Sequence, residues 1–159
     1  MKKIFIFILA FLMSFNTICS LPVFANTIND GTTTEYTFYD DGSYMVTRIT
    51  EEPNAITTRS SSTTTKSKIS SYYSNNNVEL WYVKVTGTFT YNGTSSKCTD
   101  SRVTAASYSS AWKISNKSAS KSGSSATAKA TANFYVGSRI EKTINKSVTL
   151  TCSAKGTFS

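Results

Sequence analysis

One stretch, 78–98, constrains the fold more than any other: VELWYVKVTGTFTY, then Asn92-Gly93, then TSSKC. Trp81, Val83, Val85, Gly87, Phe89 and Tyr91 alternate with Leu80, Tyr82, Lys84, Thr86, Thr88 and Thr90. Side chains alternate across a strand, so the first set reads as core and the second as mostly solvent-facing. Asn92-Gly93 suits a two-residue type I′ turn, because both residues accept positive φ. That turn pairs Tyr91 with Thr94 and Gly87 with Cys98, and it sets Cys98 on the face of Trp81 and Phe89. The expected element is a long antiparallel hairpin with one buried face.

The same reading extends along the chain. EYTFY, then Asp40-Asp41-Gly42, then SYMVTRIT reads as a further hairpin, with Asp before Gly as ordinary turn chemistry. Segment 66–74 reads as a strand. In 111–121, Trp112 and Ile114 point inward and Lys113, Lys117 and Lys121 outward. Ala126, Ala128, Ala130, Ala132, Phe134 and Val136 share one face of the next strand, with Lys129 and Tyr135 on the other. A three-residue loop at 123–125 pairs Ile114 with Phe134 and Trp112 with Val136. A second at 137–139 pairs Val136 with Ile140 and brings Ile144, Val148, Leu150 and Cys152 to the apolar face. Lys142 and Lys146 fall on that face as well, which alternation alone does not explain.

These short strands and regular turns predict an all-β fold, an antiparallel β-sandwich. The first 25 residues read as an export signal: Lys2 and Lys3, an apolar run over 4–15, and Val23-Phe24-Ala25 before a cleavage point. Segment 26–52 reads as a hairpin unit, 53–65 (with ITTRSSSTTT) as a Ser/Thr-rich linker, and 66–159 as the sandwich domain. In an exported chain the two cysteines left after cleavage, Cys98 and Cys152, are expected to form one inter-sheet disulfide.

Cys98, Trp112 and Cys152 resemble the cysteine–tryptophan–cysteine pattern of immunoglobulin domains, which implies an immunoglobulin-like or related sandwich. Leu150 stands where that family's corner tyrosine would be. The stretches FTYNGTSSKCTD, SAWKISNKSASKSG and VTLTCSAKG resemble a group of small secreted proteins of Gram-positive bacteria without assigned function. That resemblance implies secretion and a β-fold and carries no catalytic residues.

Composition speaks against an enzyme. There is no histidine, no G-x-S-x-G, no CxxC, and only Asp100 and Glu141 as acids after residue 79. No cofactor or metal is expected. Charge is unevenly divided: 26–79 sums to −3 and 80–159 to +9. A basic exported domain suits an anionic cell-wall or surface polymer, and export with no reader motif argues against nucleic acid. Lys113, Lys117 and Lys121, spaced by ~13 Å at ~3.3 Å per residue, with Lys129 and Tyr135 on the adjoining strand, form the expected binding face. The expected function is secreted, non-enzymatic binding. The alternative is membrane perturbation, because 125–151 resembles the inserting hairpins of β-pore toxins, although Lys142 and Lys146 would then face lipid. After 25 no apolar run is long enough to span a membrane as a helix.

Overall fold

The computed structural model describes residues 23–27, 33–51 and 62–159. These form two antiparallel sheets. The large sheet holds β1 (Val23–Thr27), β2 (Thr33–Phe38), β3 (Tyr44–Glu51), β4 (Ser62–Tyr73), β5 (Glu79–Tyr91) and β6 (Ser96–Ser107), side by side in chain order. The small sheet holds β7 (Trp112–Ser122), β8 (Ser125–Val136) and β9 (Arg139–Thr151). Immunoglobulin sheets place non-consecutive strands next to one another. This order does not, so the Cys98–Trp112–Cys152 pattern comes without that connectivity.

The two sheets share one core. β5 supplies Trp81, Val83, Val85 and Phe89, all fully buried, on the face that alternation assigns to them. β8 answers with Ala126, Ala128, Ala130 and Ala132, and β9 with Val148 and Leu150. At one end Tyr72, Trp81, Trp112 and Phe134 pack ring on ring, with Trp81 and Trp112 centroids 5.9 Å apart. At the other end the ring of Phe89 meets Phe158 edge-on at 5.3 Å. Close sheet contact requires a glycine at 87: a Cβ there would stand 2.9 Å from the Cβ of Ala126 and 2.5 Å from the Phe89 ring.

Several registers differ from the sequence reading by two residues. In the organising hairpin Tyr91 pairs with Ser96, and Phe89 rather than Gly87 pairs with Cys98, with a bulge at Thr88/Phe89. A type I′ turn needs positive φ at both central residues, and only Gly93 has it. Asn92 instead uses its side-chain oxygen to accept from the backbone N–H of Thr94 and Ser95, which makes a four-residue loop. Trp112 likewise pairs with Phe134, across a two-residue turn at 123–124. A slip of two leaves facing unchanged, because side chains alternate with period two. Between β8 and β9 the expected register holds from Ala126↔Leu150 to Phe134↔Lys142, and only beyond a bulge at Phe134/Tyr135 does it slip by one, so that Val136 pairs with Arg139 and not Ile140. Val136 and Ile140, expected on the apolar face, are instead exposed, because they lie beyond the β8/β9 bulge.

The expected segment boundaries also shift. β2 and β3 hydrogen-bond to one another, and β3 to β4, so described residues of 26–52 belong to the same sheet as the rest. Ser62 to Thr65, expected as linker, open β4, while 53–61 lie outside the described residues. Residues 1–22 lie outside them too, and β1 runs across the expected cleavage point after Ala25.

The expected disulfide is corrected. Cys98 and Cys152 are both buried and both free. They face the core as alternation requires, and they flank one turn: the Cys98 N–H donates to Gly123 O at 2.8 Å and the Cys152 N–H to Ser124 O at 3.0 Å. Each sulfur, however, turns to its own strand. Cys98 Sγ donates to Asp100 O at 3.1 Å and Cys152 Sγ to Ser153 O at 3.3 Å. Burial pushes both thiols above their ordinary pKa, which keeps them protonated.

Candidate functional site

The outer face of the small sheet carries the expected binding residues, rearranged by a bulge. Ser115 pairs with Thr131 and Ser118 with Lys129, so Asn116 and Lys117 together oppose Ala130. Asn116 sits at φ 51°, a left-handed conformation that asparagine tolerates better than most residues. An extra residue in one strand bends it and reverses the facing of everything beyond. Beside this bend lies a depression of about 440 Å³ lined by Asn116, Ser118, Lys129, Thr131, Asn145 and Ser147, among others.

The bulge separates the five expected residues. Lys113 and Tyr135 come together, with the ammonium 4.8 Å from the ring centroid, a cation–π contact. Lys129 lies on the same outer face and lines the depression. Lys117 occupies the bulge itself and is exposed. Lys121 leaves the site: it pairs with Ala126, whose side chain faces the core, and its ammonium donates to the carbonyl of Thr99 on β6. The regular spacing of Lys113, Lys117 and Lys121 therefore does not produce a straight row of charges.

The floor of this face is a ladder of hydroxyls and amides. Thr127 and Thr149 share a hydrogen bond of 2.9 Å, Thr131 donates to Asn145 Oδ1 at 2.8 Å, and Thr143 to Asn133 Oδ1 at 2.9 Å. Such cross-strand pairs fix side-chain positions, so polar groups are held in place before a ligand arrives. The sequence reading named the cations and missed this floor. Its signal was present, since Thr127, Thr131 and Asn133 alternate with the core alanines, and Thr143, Asn145, Ser147 and Thr149 repeat every second residue.

Lys142 and Lys146 do point inward, and the structure supplies direct partners for Lys142. Lys142 reaches Asp41 Oδ2 at 2.7 Å and donates to the Tyr72 hydroxyl at 3.2 Å, while Tyr72 donates to Ser43 Oγ at 2.7 Å. Burial lowers the pKa of Lys142, but the hydrogen bonds to Asp41 and Tyr72 outweigh it and leave it raised. The hydrogen bond from Lys142, then that from Ser43, holds the Asp41 carboxyl down at about 2. A protonated lysine takes no proton from serine, so this cluster joins the two sheets and does not activate Ser43. Burial lowers the pKa of Lys146, with Glu35 opposing and Lys68 adding to the effect. Inward charges of this kind also blunt the open edge of β9 against pairing with another chain.

The apolar side of the 125–151 hairpin is buried: Ala126 and Ala128 are fully covered in the core shared with the large sheet. Among the described residues, no group of three His, Cys, Asp or Glu side chains stands close enough to hold a metal. No family model, no curated protein and no solved structure matches this chain.

Proposed function

We propose that this protein is an exported, non-enzymatic binding domain, a β-sandwich that engages an anionic, hydroxyl-bearing polymer at the cell envelope or outside it. The carrying observation is the depression on the outer face of the small sheet, where Lys129 and Ser147 border a floor of hydrogen-bonded Thr131 and Asn145. Lys113, seated over Tyr135, adds a second cation and a flat ring on the same face. A polymer bearing carboxylates or phosphodiesters between hydroxyls matches that mixture: ammonium groups for its charges, hydroxyls and amides for its polar rim. The N-terminal signal pattern supports export. Cleavage after Ala25 leaves Asn26 and Thr27 of β1 paired with β2.

The test is affinity for polygalacturonate and for purified cell-wall polymer, with neutral dextran as control. Binding should weaken between roughly 0.05 and 0.5 M salt as screening shortens the range of the charges. Lys113→Glu combined with Lys129→Glu should abolish it. Equal binding by that variant, or equal affinity for dextran, would remove this reading.

A further inference from the structure

Connections between antiparallel strands alternate between the two ends of the molecule. One end gathers 39–43, 74–78, 108–111 and 137–138. Three contacts hold these together: Tyr135 N–H donates to Ala111 O at 2.8 Å, Tyr108 N–H to Leu80 O at 2.9 Å, and Lys142 reaches Asp41. The opposite end gathers 92–95, 123–124 and the C-terminal turn, where Gly93 N–H donates to Ala154 O at 2.9 Å.

Among the described residues, the large exposed apolar side chains are not shared between these ends. Phe38, Val78, Tyr108, Val136 and Ile140 are 44–67 % exposed, and every one lies in or beside the four connections of the first end. Scattered single apolar residues need no explanation, but five on four neighbouring connections mark an interaction surface. Half-buried tyrosines stand behind them, with Tyr44 and Tyr73 stacked at 5.1 Å and Tyr82 against Tyr108 at 5.8 Å. The charges here largely cancel. Lys142 pairs with Asp41, and Arg139 with Glu141 at 3.0 Å, leaving Lys113 against Asp40 and Glu79. A chain of net charge +8 thus presents an end with almost no net charge.

We infer that this end docks on the surface of a lipid bilayer. Apolar tips on separate connections project into the boundary between headgroups and acyl chains, and a tyrosine girdle places rings at headgroup level with hydroxyls toward water. The near-neutral charge suits zwitterionic headgroups. It does not suit the anionic polymer assigned to the outer face of the small sheet. Tips carried on four connections offer no flat area to a second copy of the chain. Because the core alanines of β8 stay covered, docking leaves the fold closed and the bilayer intact.

The experiment is co-sedimentation of the folded protein with phosphatidylcholine vesicles loaded with a fluorescent dye. Wild type should partition without dye release. Val136→Asp with Ile140→Asp should lower the partition coefficient at least about tenfold, as expected for two apolar side chains kept out of the boundary. Tyr108→Asp, on a different connection, should lower it too. All three positions are exposed, and near-ultraviolet circular dichroism of the tryptophan cluster checks that the variants fold. Lys129→Glu, in the middle of β8 and away from this end, should leave partition within about twofold, since zwitterionic vesicles present no net charge to bind. Absence of partition, partition unchanged in both variants, or dye release would overturn the inference. So would self-association in sedimentation velocity that Val136→Asp with Ile140→Asp abolishes, because a second copy would then be the occupant.

Discussion

Across the core, β5 offers Trp81, Val83, Val85 and Phe89 while β8 offers four alanines in a row. Their outer faces differ in the opposite sense. The large sheet carries Tyr36, Phe38, Tyr44 and Tyr73 in a chain of ring contacts, whereas the small sheet carries lysines over threonine and asparagine ladders. Small inner residues let the small sheet approach closely, and large ones on β5 fill the space. Opposite β8 the large sheet supplies most of the apolar volume, while the small sheet adds Trp112, Val148 and Leu150 and leaves its polar outer face open to solvent.

Substitutions can break this division, and the largest effects belong to the large sheet. Trp81→Ala should cost about 3–5 kcal/mol in urea unfolding, through lost burial plus a cavity. Trp81→Phe should cost far less, because the Trp81 indole N–H is buried without an acceptor among the described residues, and phenylalanine removes that donor. Next come changes that push the sheets apart. Ala128→Leu and Gly87→Ala should each cost about 1–3 kcal/mol by overpacking, read from the same unfolding curves. If Ala128→Leu is neutral, the claim of close approach fails.

A smaller effect tests the clasp between the sheets. The Asp41 pKa is depressed from 3.8 to about 2 in the fold. Its contribution is therefore present above the unfolded value and lost as pH falls from about 4 toward 2. The raised Lys142 pKa has the converse sign, with its contribution complete at neutral pH and lost only as strongly alkaline pH passes the folded value. Asp41→Asn should flatten the acid limb of stability against pH. Since both partners are more than a third exposed, the effect at pH 7 should stay under about 1 kcal/mol. The smallest effect is expected from Lys113→Glu with Lys129→Glu, within about 0.5 kcal/mol of wild type in unfolding. Any loss of polymer binding by that variant then reports the site and not the fold.

Alternation carried most of the fold. It places Trp81, Phe89, Trp112 and the β8 alanines in the core, and it is blind to a register slip of two, which leaves faces unchanged. It failed at the β7 bulge, where one unpaired residue turned Lys121 back toward β6; no local pattern around Asn116 announces that insertion. It placed Cys98 and Cys152 on the right face, but a shared face does not bring two sulfurs into bonding contact. Lys142 and Lys146 were visible as misplaced charges. Asp41, the partner of Lys142, stands 101 residues away, a pairing that only the packed sheets reveal.

The division between the sheets is tested most directly by nuclear magnetic resonance, titrating the labelled protein with polygalacturonate and mapping backbone amide shifts. Shifts should be confined to the outer face of the small sheet, centred on Lys113, Lys129, Thr131, Tyr135 and Asn145, with the outer tyrosines of the large sheet silent. Shifts centred on Tyr36, Tyr44 and Tyr73, or none at saturating polymer, would contradict it.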